Sequence, residues 1–343
     1  MNAEHEGSTP AARPTLEAVA ARAGVSRGTV SRVINESPRV SERTRHKVLA
    51  IIEELGYVPN HAARTLVTRR TDTVALVVSE SEERVFTEPF FAGVLRGIGT
   101  ALSTAGMQLL LAMAQSPVER GRLERYLAGR HVDGVLLLSQ HDRDTLPGLL
   151  TRAHVPLVVG GGRQEQAVVY VDVDNVGGAR QAVTHLVVTG RTAIATITGS
   201  PDMRVGRDRL AGYLDGLADA GLPADQGLIA AGDFGPDSGA RAMRELLARR
   251  PGLDAVFAAS DPMALEAVRV LRAEGRRVPD DVAVIGFDDS EAARHADPPL
   301  TTVHQPLEQM GREMARLLLA QLHGLPAPRP VVLPTHLAVR ESA

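Results

Sequence analysis

Arg27, Thr29, Ser31, Arg32 and Asn35 fall on the outward side of a short segment whose other side carries Val30, Val33 and Ile34. All five can donate hydrogen bonds to phosphate oxygens or base edges. An arginine can also grip guanine through two parallel bonds, worth about 1–3 kcal/mol of discrimination. Gly28, in their midst, brings no such group. This is chemistry for reading a duplex, not for making or breaking bonds. Catalytic chemistry finds no matching set. The 343 residues include no cysteine, which excludes disulfides, thiol nucleophiles, iron–sulfur ligation and thiolate zinc sites. There is no HExxH, no GxSxG, no compact His/carboxylate cluster and no phosphate loop, and Gly160-Gly161-Gly162 fits neither GxGxxG nor GxxxxGK[ST].

The elements that must position the duplex-facing set are legible around it. Leu16, Val19, Ala20 and Ala23 recur with helical period behind Thr15, a capping residue type, and Gly24 supplies the stop. Ser26 caps the next helix, RGTVSRVIN. Ser41 caps a third, ERTRHKVLAIIEELG, with Val48, Ile51, Ile52 and Leu55 as its apolar stripe and Gly56 at its end. The first two helices have the spacing of a helix-turn-helix. Ala20 permits close approach, Gly24 takes the positive φ of the turn, and Val30 fills the angle between them. A plain three-helix bundle with a solvated polar face shares this periodicity, and charge separates the two. Arg13 to Arg70 holds eleven basic and five acidic residues, a net of +6, so the total of −3 leaves −9 on the remainder. A basic module on an acidic body marks a nucleic-acid reader, although the overall charge alone argues against one.

The words TLEAVAARAGVSRGTVSRVIN, VSERTRHKVLAIIEELGYVPN and HAARTLVTRRT resemble the lactose/galactose repressor (LacI/GalR) family of bacterial transcription regulators, almost unbroken from Thr15 to Thr71. The resemblance implies a recognition helix in the major groove of a palindromic operator on double-stranded DNA. Thr15, Ser26, Arg27, Gly28, Thr29, Ser31, Arg32 and Asn35 would lie at that surface. Gly28 departs from the polar residues often found there, which shifts the reading onto Arg27 and Arg32. The resemblance also implies a hinge helix in HAARTLVT, with Asn60 as its cap and Ala63 and Arg64 at the DNA. This helix would pair with its twin in a homodimer and wedge Leu66 into the minor groove. So short a helix has no stability alone in water and folds only when buried. A leucine between base steps kinks the duplex, and the unstacking cost is offset by added contacts.

From Thr73 the pattern changes. TVALVVS (73–79), MQLLLAM (107–113), DGVLLLS (133–139), VPLVVG (155–160), AVVYVD (167–172), TAIATI (192–197), LDAVFAA (253–259) and DVAVIGF (281–287) read as strands, with helical stretches between most of them. Continuous Val/Leu/Ile strands alternating with helices indicate parallel sheets covered on both faces, and about 270 residues of this suit two doubly wound lobes. Ligands bind such sheets beyond the carboxyl ends of the strands. The resemblance continues here and implies a fold: an all-α helix-turn-helix head on an α/β periplasmic-binding-protein-like core of two parallel-sheet lobes. The expected organisation is a disordered tail at 1–13, the head at 14–58, hinge helix and linker at 59–72, and the core at 73–343. The first lobe would take about 73–165 and 305–325, the second about 166–304 and 326–343.

Carried over residue by residue, the resemblance places Phe90, Phe91, Arg209, Phe234, Asp288 and Gln305 at a small effector between the lobes. Two departures add to that set. Ser260-Asp261 stands where the family has Asn-Asp, shortening an amide contact. Gly160-Gly161-Gly162-Arg163 stands where an Asp often ends the strand, leaving space that Arg163 could enter. Planar polar groups suit sugar hydroxyls, an aromatic suits the C–H face, and an unpaired hydroxyl in a closed site is costly. The extra space points to a disaccharide or oligosaccharide. The bland alternatives are aromatic core for the phenylalanines and a structural ion pair for Arg209 with Asp288. The expected function is a repressor of carbohydrate-utilisation genes, controlled by a sugar. It needs no cofactor or metal and no membrane. A purine- or nucleoside-responsive regulator and a transport sugar-binding protein are the competing readings. The polar N-terminus lacks a signal-peptide core, so the expected compartment is the cytoplasm.

Overall fold

The computed structural model describes residues 14–34, 37–58, 70–162, 168–325 and 329–343. The chain divides into two units, Met1–Thr71 and Asp72–Ala343. In the first, α1 (Leu16–Ala23), α2 (Arg27–Ile34) and α3 (Glu42–Leu55) form the expected trio. Thr15 Oγ1 accepts from Ala18 N and Ser41 Oγ from Thr44 N, while Gly24 ends α1 at φ 62°. Val19, Ala20, Ala23, Val30, Val33, Val48 and Ile51 are the buried core, and Val30 is fully enclosed. With so few and such small apolar groups, the head depends on each cap and each methyl.

In the second unit two six-stranded sheets form, because Val- and Leu-rich runs can be buried on both faces only when helices cover them. The first runs β11 (Val331–Leu333), β5 (Tyr170–Val173), β4 (Leu157–Gly160), β3 (Gly134–Leu138), β1 (Thr73–Val78), β2 (Gln108–Met113), all parallel. The second runs β12 (His336–Ala338), β10 (Thr301–His304), β9 (Ala283–Asp288), β8 (Ala255–Ala258), β6 (Ile194–Ile197), β7 (Ile229–Ala230). Its edge strand β12 is antiparallel to β10, so this sheet is mixed and not wholly parallel.

The chain passes between the sheets three times, after Val173, after His304 and after Leu333. Sheet membership therefore puts 170–173 and 331–333 in the first lobe, where 166 and 326 were expected to open stretches of the second. Two of these passages are tied together, with Asp174 N donating to Leu333 O at 2.9 Å and Thr335 Oγ1 to Asp174 O at 3.0 Å. In the first lobe the helices Pro89–Thr104 and Leu307–Leu322 meet backbone to backbone. A methyl added at Gly97 would overlap Glu308 O, and one at Gly311 would overlap Val94 O.

Candidate functional sites: a reading helix and an interlobe cleft

On the head, Arg27, Gly28 and Arg32 are exposed and Thr29 and Ser31 half-buried on the outer face of α2. Ser26 Oγ accepts from Thr29 N at 3.2 Å and lies 3.0 Å from Thr29 Oγ1, so both hydroxyls start out engaged in the cap. Arg27 Nε pairs with Glu17 Oε1 at 3.0 Å, both well exposed. A duplex that takes Arg27 must therefore displace an acidic neighbour on α1. Asn35, Asn60, Ala63, Arg64, Leu66 and Arg163, with the tail at 1–13, lie outside the described residues.

In the core, a cleft of about 670 Å³, its open mouth included, lies between the lobes. Doubly wound sheets create it because their strands end together there. Phe90, Phe91, Arg209, Phe234, Ser260, Asp288 and Gln305 all line it. The second-lobe wall is built around Arg209, in the second turn of the helix Arg204–Asp219. Its Nε donates to Asn175 Oδ1 at 2.9 Å and its Nη1 to Ala259 O at 2.5 Å, while Nη1 stands 3.6 Å from Asp288 Oδ1. The guanidinium stacks 3.6 Å over the Phe287 ring. Complete burial pulls its pKa down, opposed chiefly by Asp288.

Asp288 ends β9 at φ 125°, a conformation that L side chains rarely adopt, and accepts from Gln305 Nε2 at 2.5 Å. Burial pushes its carboxyl up to about 8. Phe234 also has a positive φ, 74°, and its ring lies against Gly199, where a Cβ would collide with it. Ser260 Oγ donates to Phe234 O at 2.8 Å, so it holds the ring's backbone and caps the helix Asp261–Ala273.

One expected residue is placed differently. Asp261 does not line the cleft. It is wholly buried behind it, its Oδ2 accepting from Ser290 N at 2.7 Å and its Oδ1 from Thr302 Oγ1 at 2.5 Å. Helix geometry turns the first residue after the cap away from the strand ends. Phe91 lines the cleft from within the first-lobe core, only 1% exposed, with Phe90 edge-on at 5.2 Å.

The sequence reading placed Phe90 and Phe91 on the first-lobe wall but missed its charged part. Arg84 Nη1 donates to Glu80 Oε2 at 2.6 Å and Arg84 Nε to Glu88 Oε1 at 2.7 Å, an i, i+4 pair on each side. The Glu-x3-Arg-x3-Glu spacing was the available signal. Burial pushes Glu88 up, with Arg84 opposing. Asp172 and Asn175, at the first passage, were missed as well. Asn175 Nδ2 donates to Asp172 Oδ1 at 3.0 Å, so a chain of bonds runs from the first-lobe sheet through Asn175 to Arg209. Burial raises Asp172 to about 6. At the expected glycine run, Gly161 faces open space at φ 79°. No group of three or more His, Cys, Asp or Glu among the described residues could hold a metal ion.

A helix-turn-helix on the same chain as a two-lobed core with a polar, aromatic cleft defines a ligand-responsive DNA-binding regulator. Residues 15–60 match the bacterial regulatory proteins of the lacI family, and residues 183–343 match the periplasmic binding protein-like domain. The chain belongs to the lacI family and is a DNA-binding transcriptional regulator. It is 60% identical to the HTH-type transcriptional regulator CelR of Thermobifida fusca, over 96% of this chain and 98% of that one. It is 34% identical to the transcriptional repressor PurR of Photobacterium profundum, covering 90% and 92%. Among solved structures, a CelR–cellobiose complex aligns with a TM-score of 0.78 at 58% identity, covering 96% of this chain and all of that one. A lac repressor dimer bound to operator and the anti-inducer ONPF aligns at 0.86 with 27% identity, covering 96% and 98%. Among the described residues no helix is long and apolar enough to cross a membrane.

Proposed function

We propose that the protein is a cytoplasmic, non-enzymatic repressor, acting as a homodimer on a palindromic operator and controlled by a disaccharide, with cellobiose the first candidate. The observation that carries the sugar reading is the Arg209–Asp288–Gln305 cluster beside the Phe234 ring, in a cleft with open space at Gly161. Planar groups whose donors and acceptors are fixed by neighbours recognise hydroxyls in fixed directions, and the ring offers a face to C–H groups. The high identity to a regulator solved with cellobiose supports this reading over a purine effector. On the head, Arg27 and Arg32 read base edges, and Leu66 keeps the wedge role that the resemblance gives it. Much of the operator affinity is electrostatic and falls steeply with salt.

The test titrates full-length protein with cellobiose and with purine bases by calorimetry, then repeats a gel shift on palindromes beside its own gene with the bound compound added. Cellobiose should bind and change the shift. A purine binding tightly while cellobiose stays silent would overturn the reading.

A further inference from the structure

The first-lobe corner that follows β3 reaches across to the second lobe. His141 forms an isolated antiparallel bridge with Met203, and Asp142 N donates to Asp202 O at 2.9 Å. Arg207 grips the Asp142 carboxylate through both terminal nitrogens, at 2.7 and 3.0 Å. His141 Nδ1 stands 2.8 Å from Asp202 Oδ2, and its Nε2 stands 3.5 Å from Glu80 Oε1. That Glu80 oxygen is buried without a hydrogen-bond partner, on a residue that lines the cleft. None of these residues belongs to the three covalent passages. They are a second, non-covalent tie between the same two bodies.

We propose that the His141–Asp142 corner and the segment from Ser200 to Arg207 form a latch across the lobes, with Glu80 as the point where a bound effector engages it. The proposal rests on the effector reading above and adds its regulation. A contact made only when the lobes are together raises the share of closed molecules. A ligand that needs the closed form then binds with an apparent affinity proportional to that share. Each exposed ion pair is weak by itself, but the two-pronged Arg207 grip is backed by a backbone bond and a bridge. The latch also puts the cleft's unsatisfied carboxylate oxygen one step from the opposite lobe, through a single imidazole. A hydroxyl donated to Glu80 is therefore felt by the group that joins the lobes.

The charged neighbours of His141 are Glu80 on its own lobe, Asp202 opposite, and the Asp142–Arg207 pair with Asp208 beyond it. Glu80 first and Asp202 next raise its pKa from 6.5 to about 9. A cation stabilised by the closed form is fully stabilising below about 6.5, and that contribution disappears as pH rises through about 9.

The experiment titrates cellobiose into full-length wild type, Asp142→Ala, Arg207→Ala, the double alanine variant and the charge reversal Asp142→Arg with Arg207→Asp. X-ray scattering of each ligand-free protein runs alongside. Each single variant should bind about threefold more weakly, the double no worse than either, and the reversal should recover most of the loss. The ligand-free alanine variants should expand. Wild-type affinity should fall between about pH 6.5 and 9, and His141→Gln should flatten that fall. Singles within about 1.5-fold of wild type, or losses that simply add, overturn the latch. If wild type ignores cellobiose, the effector reading fails separately. Scattering then decides the latch alone, and an unexpanded Arg207→Ala protein overturns it.

Discussion

On the second-lobe wall of the cleft, Arg209 is enclosed on all sides and its partners include a backbone carbonyl, an amide oxygen and an aromatic face. On the first-lobe wall, Arg84 is about a quarter exposed and holds two carboxylates of its own segment, one of which has an oxygen with no closer neighbour than the His141 imidazole at 3.5 Å. The first arrangement spends its donors on the lobe's own architecture and makes a fixed template. The second is local in sequence and leaves acceptor capacity for a ligand. One wall fixes orientation, and the other can adapt to what is bound.

Removing Arg209 should do the most damage. Arg209→Ala unpairs the buried Asn175 Oδ1 and Ala259 O and leaves Asp288 with Gln305 alone. Each buried acceptor left without its donor costs about 1–3 kcal/mol, and two are left here. Urea denaturation followed by circular dichroism measures this, and a loss below about 1 kcal/mol would show that the wall is not a template. Arg84→Ala should cost less, about 1–3 kcal/mol, because the Glu88 carboxyl, already pushed up by burial, can take up a proton. Protonation relieves Glu88 at low pH, so the deficit should be larger at pH 8 than at pH 5. Equal deficits at the two pH values would contradict the contrast between the walls. Gly161→Ala should have the smallest effect on stability, about 1–2 kcal/mol from its left-handed backbone alone, since among the described residues nothing beyond its chain neighbours lies within 4 Å of the added methyl. If this variant binds cellobiose as wild type does, that space is not where a sugar ring rests.

The two walls were unequally legible in the sequence. Arg209, Phe234, Asp288 and Gln305 sit at strand ends or near helix starts inside recognisable words, so the fold that places the words places the side chains. Glu80, Arg84 and Glu88 lie where the chain leaves β1, and their relation to the cleft depends on how that segment folds back. Asp261 was misread because adjacent residues at a helix start point in different directions, and only Ser260 remains at the cleft. Eight of the twelve strands among the described residues follow from apolar runs. Those that do not are two or three residues long, or, like β10, are buried threonines whose polarity hides them. The head was legible to its caps because Thr15, Ser26, Ser41 and Gly24 each act on the nearest turn. The passage after His304 was expected where it falls, while the other two were placed several residues early, since β5 and β11 join the first sheet through pairing that no local pattern announces.

The backbone contact at Gly97 and Gly311 has a mechanical consequence. The two helices run side by side from the cleft, one beginning beside Phe90 and the other just after Gln305. Between most helices a layer of side chains can change rotamer and absorb a small push. Here that layer is missing at the crossing, and a close-packed interior has little compressibility. The pair must move as one stiff beam, so a displacement at its cleft end arrives undamped near Thr104 and Leu322.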